Sequence, residues 1–164
     1  MKRSFLIDEE NLQALILRHE KKIFAFTLYL TGGDRDKAYD LAVSGCAESW
    51  QRLPGPKKEE HFLAGAARAI VEKIRASQVI SSFYEGDFEK LPAAERSALR
   101  LVHAALQSLE FEDKAYILLR DQMNLRYAEI AEVFHASEAA ARNGTAQARA
   151  ALRKQMEDVL RRAR

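Results

Sequence analysis

The chain has 164 residues, of which 48% are apolar and 30% are charged, and its formal net charge is +2. These values are typical of a soluble globular protein with one ordinary domain or two small ones, and they exclude a disordered chain. The longest apolar run, residues 23–30, is too short to cross a bilayer, so we expect no membrane insertion. Asp8, Glu9 and Glu10 interrupt any signal-peptide pattern, and Cys46 alone cannot form a disulfide framework. We therefore expect a cytoplasmic protein.

The charge is distributed unevenly along the chain. Residues 137–164 contain seven basic and three acidic residues, whereas the rest of the chain is slightly acidic. A basic C-terminal helix indicates a phosphate-binding face. The alternative is a solvated helix end, because cations also favour helix C-termini.

Glycine and proline are scarce and the apolar residues follow helical spacing, which predicts an all-α fold. The spacing places helices over residues 12–30, 35–51 and 59–77. Gly32 and Gly33 end the first helix, since glycine takes the left-handed conformation required there, and Asp34 caps the second. Pro54 and Pro56 stop the second helix.

The pattern changes between residues 81 and 92, which carry glycine, proline and acids without a helical period. We interpret residues 81–93 as a flexible linker between two helical domains, residues 8–80 and residues 94–164. A long loop inside one domain is the alternative, but such loops are uncommon. Helices then resume near residue 94, with Leu99, Val102, Leu106 and Leu109 predicted on one apolar face, and continue over residues 112–122, 126–134 and 137–160.

The strongest local signal is residues 124–137, a short amphipathic helix and a three-residue turn that lead into a longer helix. Ile130 and Phe134 face inward one turn apart, and the small Ala131 lets two helices cross closely. Ser137 can cap the longer helix through its hydroxyl. That helix directs four polar side chains suited to base edges and phosphates towards one general side: Arg142, Asn143, Gln147 and Arg149. The arrangement predicts a helix-turn-helix, whose second helix enters the major groove; an ordinary helical hairpin with a polar outer face is the alternative.

These residues resemble region four of bacterial sigma factors of the extracytoplasmic-function class. The resemblance lies in residues 125–131 (LRYAEIA), in Ser137 and Arg142, and in residues 148–153 (ARAALR). Three further segments resemble region two of the same family: residues 33–44 (GDRDKAYDLAVS), 49–53 (SWQRL) and 71–75 (VEKIR). The two sets stand in the family's order with a linker between them and span nearly the whole chain.

The resemblance implies a divergent alternative sigma factor that binds core RNA polymerase and directs promoter-specific initiation, without a cofactor. Region two would bind the polymerase clamp through Asp40, Leu41, Ser44 and Glu48. It would touch the melted minus-ten strand through Arg68, Lys73 and Arg75. Region four would contact the polymerase flap and would read the minus-thirty-five element of promoter DNA through Tyr127, Ser137, Glu138, Arg142, Asn143, Gln147, Arg149 and Arg153. An acidic linker would thread towards the polymerase active-site channel, and an anti-sigma factor would hold the protein in check.

The chain departs from the family pattern at several positions. Val43 and Ser44 replace Gln and Glu in the polymerase contact, and His61 replaces a common Trp. His135 replaces a turn Gly, but His tolerates the left-handed region, so the turn should survive. Gly144 and Gln147 replace two arginines of the recognition helix, which predicts weaker DNA binding than in a typical member. Arg126 replaces a capping Ser.

Two alternatives remain at this level. One is a sigma-like adaptor that occupies an anti-sigma factor without reading promoters, and the other is a helix-turn-helix regulator unrelated to polymerase. An enzyme is not expected, because the chain has no glycine-rich phosphate loop and no nucleophile with a base nearby in sequence. The four histidines are scattered without metal-ligand spacing, so no metal is expected. Cys46 is expected to be a buried, inert thiol, and Trp50 a core residue.

Overall fold

The computed structural model describes residues 2–53, 58–77 and 92–162, and all regular structure in these ranges is helical, which confirms the all-α prediction. The helices are α1 (Lys2–Leu30), α2 (Arg35–Arg52), α3 (Lys58–Ser77), α4 (Ala93–Gln107), α5 (Phe111–Ile117), α6 (Tyr127–Phe134) and α7 (Glu138–Arg162), and α5 continues as one π-helical turn (Leu118–Gln122). The predicted stop at Pro54 and Pro56 and residues 81–91 of the predicted linker lie outside the described residues; Ala93, the last predicted linker residue, already begins α4.

The turn between α1 and α2 has the predicted form. Gly32 and Gly33 have φ values of 65° and 88°, which glycine adopts without a steric penalty. The Asp34 carboxylate then accepts a 3.0 Å hydrogen bond from the backbone N–H of Lys37. This bond satisfies one of the unpaired donors at the start of α2.

Helices α1, α2 and α3 pack together as a bundle, with Phe26, Phe62 and Ile70 fully buried. Two features bring α2 close to α3. A Cβ added at Gly45 would lie 2.7 Å from Cγ1 of Ile70, so only glycine allows this approach. The hydroxyl of Ser49 donates a 2.9 Å hydrogen bond across the same contact to the carbonyl oxygen of Phe62.

The C-terminal half is organised around α7, against which α4, α5 and α6 all pack. The inner stripe of α7 consists of small side chains, with Ala141, Thr145 and Ala148 buried. Small residues at one-turn spacing let three helices approach a fourth. The predicted core residue Ile130 is fully buried and Ala131 is buried beside it.

The two halves of the chain are in contact. Helix α3 packs against α6, and α1 packs against α5 and the π-helical turn. The helix-turn-helix therefore lies against the N-terminal bundle.

The structure differs from the sequence predictions in three places. Helix α1 begins at Lys2, before the predicted start at residue 12. Residues 112–122 are not one α-helix, because the helix widens to a π-helical turn near its end. There the Met123 N–H donates a 2.9 Å hydrogen bond to the carbonyl oxygen of Leu118, five residues earlier. This wider turn accompanies the burial of Leu118, Leu119 and Met123. The predicted apolar face of α4 is also only half correct: Leu106 and Leu109 are buried, whereas Leu99 and Val102 are exposed.

Candidate nucleic-acid interface

The turn between α6 and α7 has a well-defined hydrogen-bond pattern. His135 adopts the left-handed conformation (φ 54°, ψ 42°), as expected from its position. The N–H of Ala136 bonds to the Ala131 carbonyl at 2.9 Å and that of His135 to the Glu132 carbonyl at 3.4 Å, which together form a Schellman ending. The Ser137 hydroxyl accepts a 3.1 Å bond from the Ala140 N–H and caps α7 as predicted. The turn therefore fixes the angle between the two helices.

The beginning of α6 is held by a carboxylate instead of the missing serine. Glu129 reaches back one turn and accepts a 2.7 Å bond from the backbone N–H of Arg126. The same carboxylate pairs with the Arg126 guanidinium at 3.2 Å. Arginine has no acceptor for the reciprocal bond of a capping box, so Glu129 provides half of that motif.

The predicted DNA-reading side chains of α7 lie on its solvent side. Glu138, Arg142, Asn143, Gln147, Arg149 and Arg153 are all exposed, as is Ser137 at the cap. At 3.6 residues per turn, Arg142, Arg149 and Arg153 follow one edge of this face, and Asn143 and Gln147 lie further round it. The face thus offers a row of cations for phosphates beside amide groups suited to base edges.

Tyr127 lies at the start of α6, and its ring is in contact with two guanidinium groups. The Cζ of Arg142 lies 4.6 Å from the centre of the Tyr127 ring, and the Cζ of Arg120 lies 4.8 Å from it. Arg120 also donates a 2.8 Å bond to the carbonyl of Leu125. Arg120 was not predictable from the sequence, because it lies in the π-helical turn, where the α-helical periodicity is broken.

Two of the predicted DNA-binding arginines of α7 pair with carboxylates on the surface. Arg142 pairs with Glu138 at 2.6 Å, and Arg149 pairs with Asp121 through two hydrogen bonds. All four side chains are at least 43% exposed. Exposed ion pairs contribute little, so DNA phosphates can replace these carboxylates as partners.

Gly144 has a packing role that is not apparent from the sequence. A Cβ at this position would lie 2.6 Å from Cζ of Tyr116, and the Tyr116 ring stacks on Phe134 with centroids 4.1 Å apart. The residue therefore lies between α7 and α5. The sequence predicts a lost phosphate contact at Gly144, whereas the structure places this residue against the Tyr116 ring, which would have to shift to admit a side chain.

The three predicted minus-ten residues of α3 all pair with carboxylates. Arg68 bonds to Glu72 at 2.9 Å and Lys73 to Glu48 at 3.0 Å. Arg75 pairs across the molecule with Glu112 of α5. In this arrangement these three cations face carboxylates of the same chain.

The predicted polymerase-binding residues follow the surface of α2. Asp40 is exposed, Leu41, Ser44 and Glu48 are half-buried, and the Ser44 hydroxyl donates to the Leu41 carbonyl at 3.2 Å. Beside them an apolar groove of about 680 Å³ runs between α1 and α2. Tyr39 and Val43 on its rim are 63% and 51% exposed.

Cys46 lies at this groove and is buried, and burial raises the pKa of its thiol to about 11. Among the described residues, no three His, Cys, Asp or Glu side chains gather in a way that could hold a metal ion. No helix within the described ranges is long and apolar enough to span a membrane.

Comparison with known proteins finds one similarity, in the C-terminal part of the chain. No curated protein matches the sequence. Residues 99–152, which run from α4 through the helix-turn-helix into α7, match the model of the family described as Sigma-70, region 4. This part of the chain is therefore similar to region 4 of sigma-70 factors.

Proposed function

We propose that this protein is an alternative sigma factor of the extracytoplasmic-function class, which binds core RNA polymerase in the cytoplasm and directs it to a subset of promoters. The proposal rests on one observation: the residues that match the family model include the exposed face of α7. The matched residues fold into a capped helix-turn-helix, and Arg142, Asn143, Gln147 and Arg149 lie on the side of α7 that faces solvent.

Each half of the chain has a separate task in this proposal. Residues 94–164 read the minus-thirty-five element and contact the polymerase flap. Residues 8–80 bind the clamp through the exposed surface of α2 around Asp40, and contact the melted minus-ten strand through the cations of α3. Residues 81–93 join the two domains and lie towards the active-site channel of polymerase. An anti-sigma factor is the expected regulatory partner.

The test is transcription with purified core polymerase and a promoter library of randomised sequence. We expect the protein to select transcripts that share two elements at fixed spacing upstream of the start. Asp40→Ala should reduce both co-purification with core polymerase and transcript yield, because it removes an exposed carboxylate from the proposed clamp contact. Transcripts without a shared upstream element would contradict the proposal.

A sigma-like adaptor that binds proteins and does not read promoters is the second candidate. It is favoured by the groove between α1 and α2, because exposed apolar surface of this kind marks protein contacts, and by Val43 in place of a polar family residue. If the adaptor proposal holds, an anti-sigma factor co-purifies with the chain, and the promoter library gives no selected transcript.

A further inference from the structure

Arg120 is a half-buried cation whose contacts lead to the helix-turn-helix. Its Nη1 atom donates a 2.8 Å hydrogen bond to the carbonyl oxygen of Leu125, and its Cζ lies 4.8 Å from the centre of the Tyr127 ring. Within the part of the chain that the structure describes, no carboxylate forms an ion pair with Arg120, and its neighbour Asp121 pairs with Arg149. The position of Arg120 is therefore fixed by a backbone carbonyl and an aromatic ring, and not by an opposite charge.

The π-helical turn that carries Arg120 is held by hydrogen bonds on its C-terminal side. The N–H of Met123 bonds to the Leu118 carbonyl at 2.9 Å, and the N–H of Leu125 bonds to the Leu119 carbonyl at 3.0 Å. The side chains of these four residues are buried. Single π-helical turns inside α-helices are frequent at functional sites. Arg120 therefore extends from a fixed backbone beside a buried core.

The Tyr127 ring connects Arg120 to Arg142 of α7. The Cζ of Arg142 lies 4.6 Å from the centre of this ring, within the distance at which a guanidinium is attracted to an aromatic face. A guanidinium against a ring still has its N–H donors available for other partners. One of them donates a 2.6 Å bond to Glu138, a surface pair that a DNA phosphate can replace. The ring therefore restrains Arg142 without using the groups that bind DNA.

A restrained arginine binds phosphate at a smaller entropic cost than a free one. The Arg142 side chain is 59% exposed, and a long side chain at such a position has many rotamers to lose. Binding immobilises it at a cost in affinity, so a side chain that is already held in place loses less. Arg153, in the same row of cations, bonds instead to the Arg149 carbonyl at 3.5 Å. It therefore serves as a reference without the aromatic support.

We propose that Arg120 is a positioning residue for DNA binding, which acts through the Tyr127 ring and holds the Arg142 guanidinium ready for a backbone phosphate. Arg120 itself does not touch the DNA, because its guanidinium faces Leu125 and Tyr127. The inference rests on the proposed function for the role of Arg142. It adds a residue outside α6 and α7 to the DNA-binding machinery, and it gives the π-helical turn a function.

The first measurement needs no DNA. The heteronuclear NOE of the Arg142 Nε–H group reports motion of this side chain on the picosecond-to-nanosecond timescale. In Arg120→Met the Tyr127 ring loses one of its two cations, so the NOE of Arg142 should fall, whereas the NOE of Arg153 should stay the same. Circular dichroism verifies that the variant keeps the wild-type helix content.

The second measurement is a double-variant cycle on a random DNA duplex, followed by fluorescence anisotropy over a salt series. Arg120→Met should weaken binding by about fivefold in the wild-type background, as the loss of one pre-ordered side chain does. In the Arg142→Gln background the same substitution should weaken binding by less than about twofold, because no guanidinium is left to position. A purely structural role of Arg120 would weaken binding equally in both backgrounds.

Arg153→Met is the matched control, since it removes the same charge from an arginine that is proposed to contact phosphate directly. It should weaken binding by the same factor in both backgrounds and reduce the slope of log K against log salt by about 0.9 each time. Arg120→Met should leave that slope unchanged once Arg142 is replaced.

Arg120→Lys tests the same role with the charge retained. It keeps a donor for the Leu125 carbonyl, so it should fold even if the methionine variant does not. Lysine lacks the planar guanidinium that stacks on an aromatic ring. We expect about twofold weaker binding than in the wild type, again only while Arg142 is present.

Equal losses in the two backgrounds would overturn the inference. Tighter binding of Arg120→Met would also overturn it, since it would mean that the two cations at Tyr127 mainly repel each other, and so would an unchanged NOE of Arg142. If the NOE falls and the coupling to Arg142 appears, but the protein selects no promoter in the transcription assay, the positioning role stands and the proposed sigma function falls.

Discussion

Gly144 illustrates how one residue depends on its neighbours across the fold. In an exposed helix, alanine is favoured over glycine by about 1 kcal/mol. At Gly144 a Cβ would lie 2.6 Å from Cζ of Tyr116, and that ring is held by its stack on Phe134. We expect Gly144→Ala to lower the free energy of unfolding by about 1–3 kcal/mol, as overpacking does, measured by urea denaturation.

The matched control for Gly144→Ala is the reverse change on the solvent side of the same helix. Ala146 is exposed, so Ala146→Gly should lower the free energy of unfolding by about 1 kcal/mol through helix propensity alone. If Gly144→Ala were stabilising, Tyr116 would have to be free to move away, and the packing argument would be wrong.

A buried lysine at position 114 gives a second prediction. Lys114 is 3% exposed, and its Nζ donates a 3.3 Å bond to Oε1 of Gln107. Burial lowers the pKa of this ammonium group, against the opposite effect of Glu110. We expect Lys114→Met to raise the Tm at pH 7 by about 2–4 °C, because a charged group no longer has to be desolvated.

The pH dependence of Lys114→Met checks its cause. The folded pKa of Lys114 lies below its unfolded value, so the unfolded chain binds more protons between the two values and wild-type stability rises with pH there. The advantage of the variant should therefore shrink as the pH rises towards 10.5. Lys154→Met, at an exposed position of α7, should leave the Tm unchanged at every pH. A lower Tm for Lys114→Met at pH 7 would contradict the argument.

At the scale of single elements, substitutions of the two partners of one surface ion pair beside the helix-turn-helix should have opposite effects on DNA binding. Arg149 pairs with Asp121, and in the proposed function it contacts phosphate. Arg149→Gln should weaken binding to a duplex and reduce the slope of log K against log salt by about 0.9. Asp121→Asn should strengthen binding, since it frees the arginine. Fluorescence anisotropy over a salt series measures both, and equal effects in the same direction would contradict the assignment.

The elements were predictable where their signals are local. Gly32, Gly33 and Asp34 predicted the end of α1 and the cap of α2, because backbone conformation and capping depend on adjacent residues. Ser137 predicted the start of α7 for the same reason. The π-helical turn and the exposure of Leu99 were not predictable, since both depend on how neighbouring helices pack.

At the scale of the whole molecule, the sequence predicts two halves but not how they meet. The pattern around Gly33 predicts one half and the pattern around Tyr127 predicts the other, each from within a few dozen residues. The contacts of Glu72 with His135 and of Arg75 with Glu112 join residues 63 and 37 positions apart. The sequence singles out Arg75 and His135 for other reasons and Glu72 and Glu112 for none, so no local pattern marks the four as a contact between the halves.

Glu72, which contacts both halves, also makes the stability of the protein depend on pH in the acid range. Its folded pKa of about 2 lies below the ordinary 4.5, because the bonds from Arg68, His135 and Arg52 favour the ionised form. A depressed pKa contributes stability that is fully present above pH 4.5 and is lost as the pH falls towards 2. We therefore expect Glu72→Gln to lower the free energy of unfolding at pH 7 by about 1 kcal/mol.

The difference between wild type and Glu72→Gln should shrink between pH 4.5 and pH 3, because the wild-type advantage titrates away in that window. Thermal unfolding from pH 7 to pH 3 measures the effect. Glu59→Gln is the matched control on α3, since its carboxylate lies 3.9 Å from Arg18 and both side chains are more than 60% exposed. Its effect should be small at every pH. A Glu72→Gln difference that stays constant down to pH 3 would mean that the carboxylate is not held ionised by these bonds.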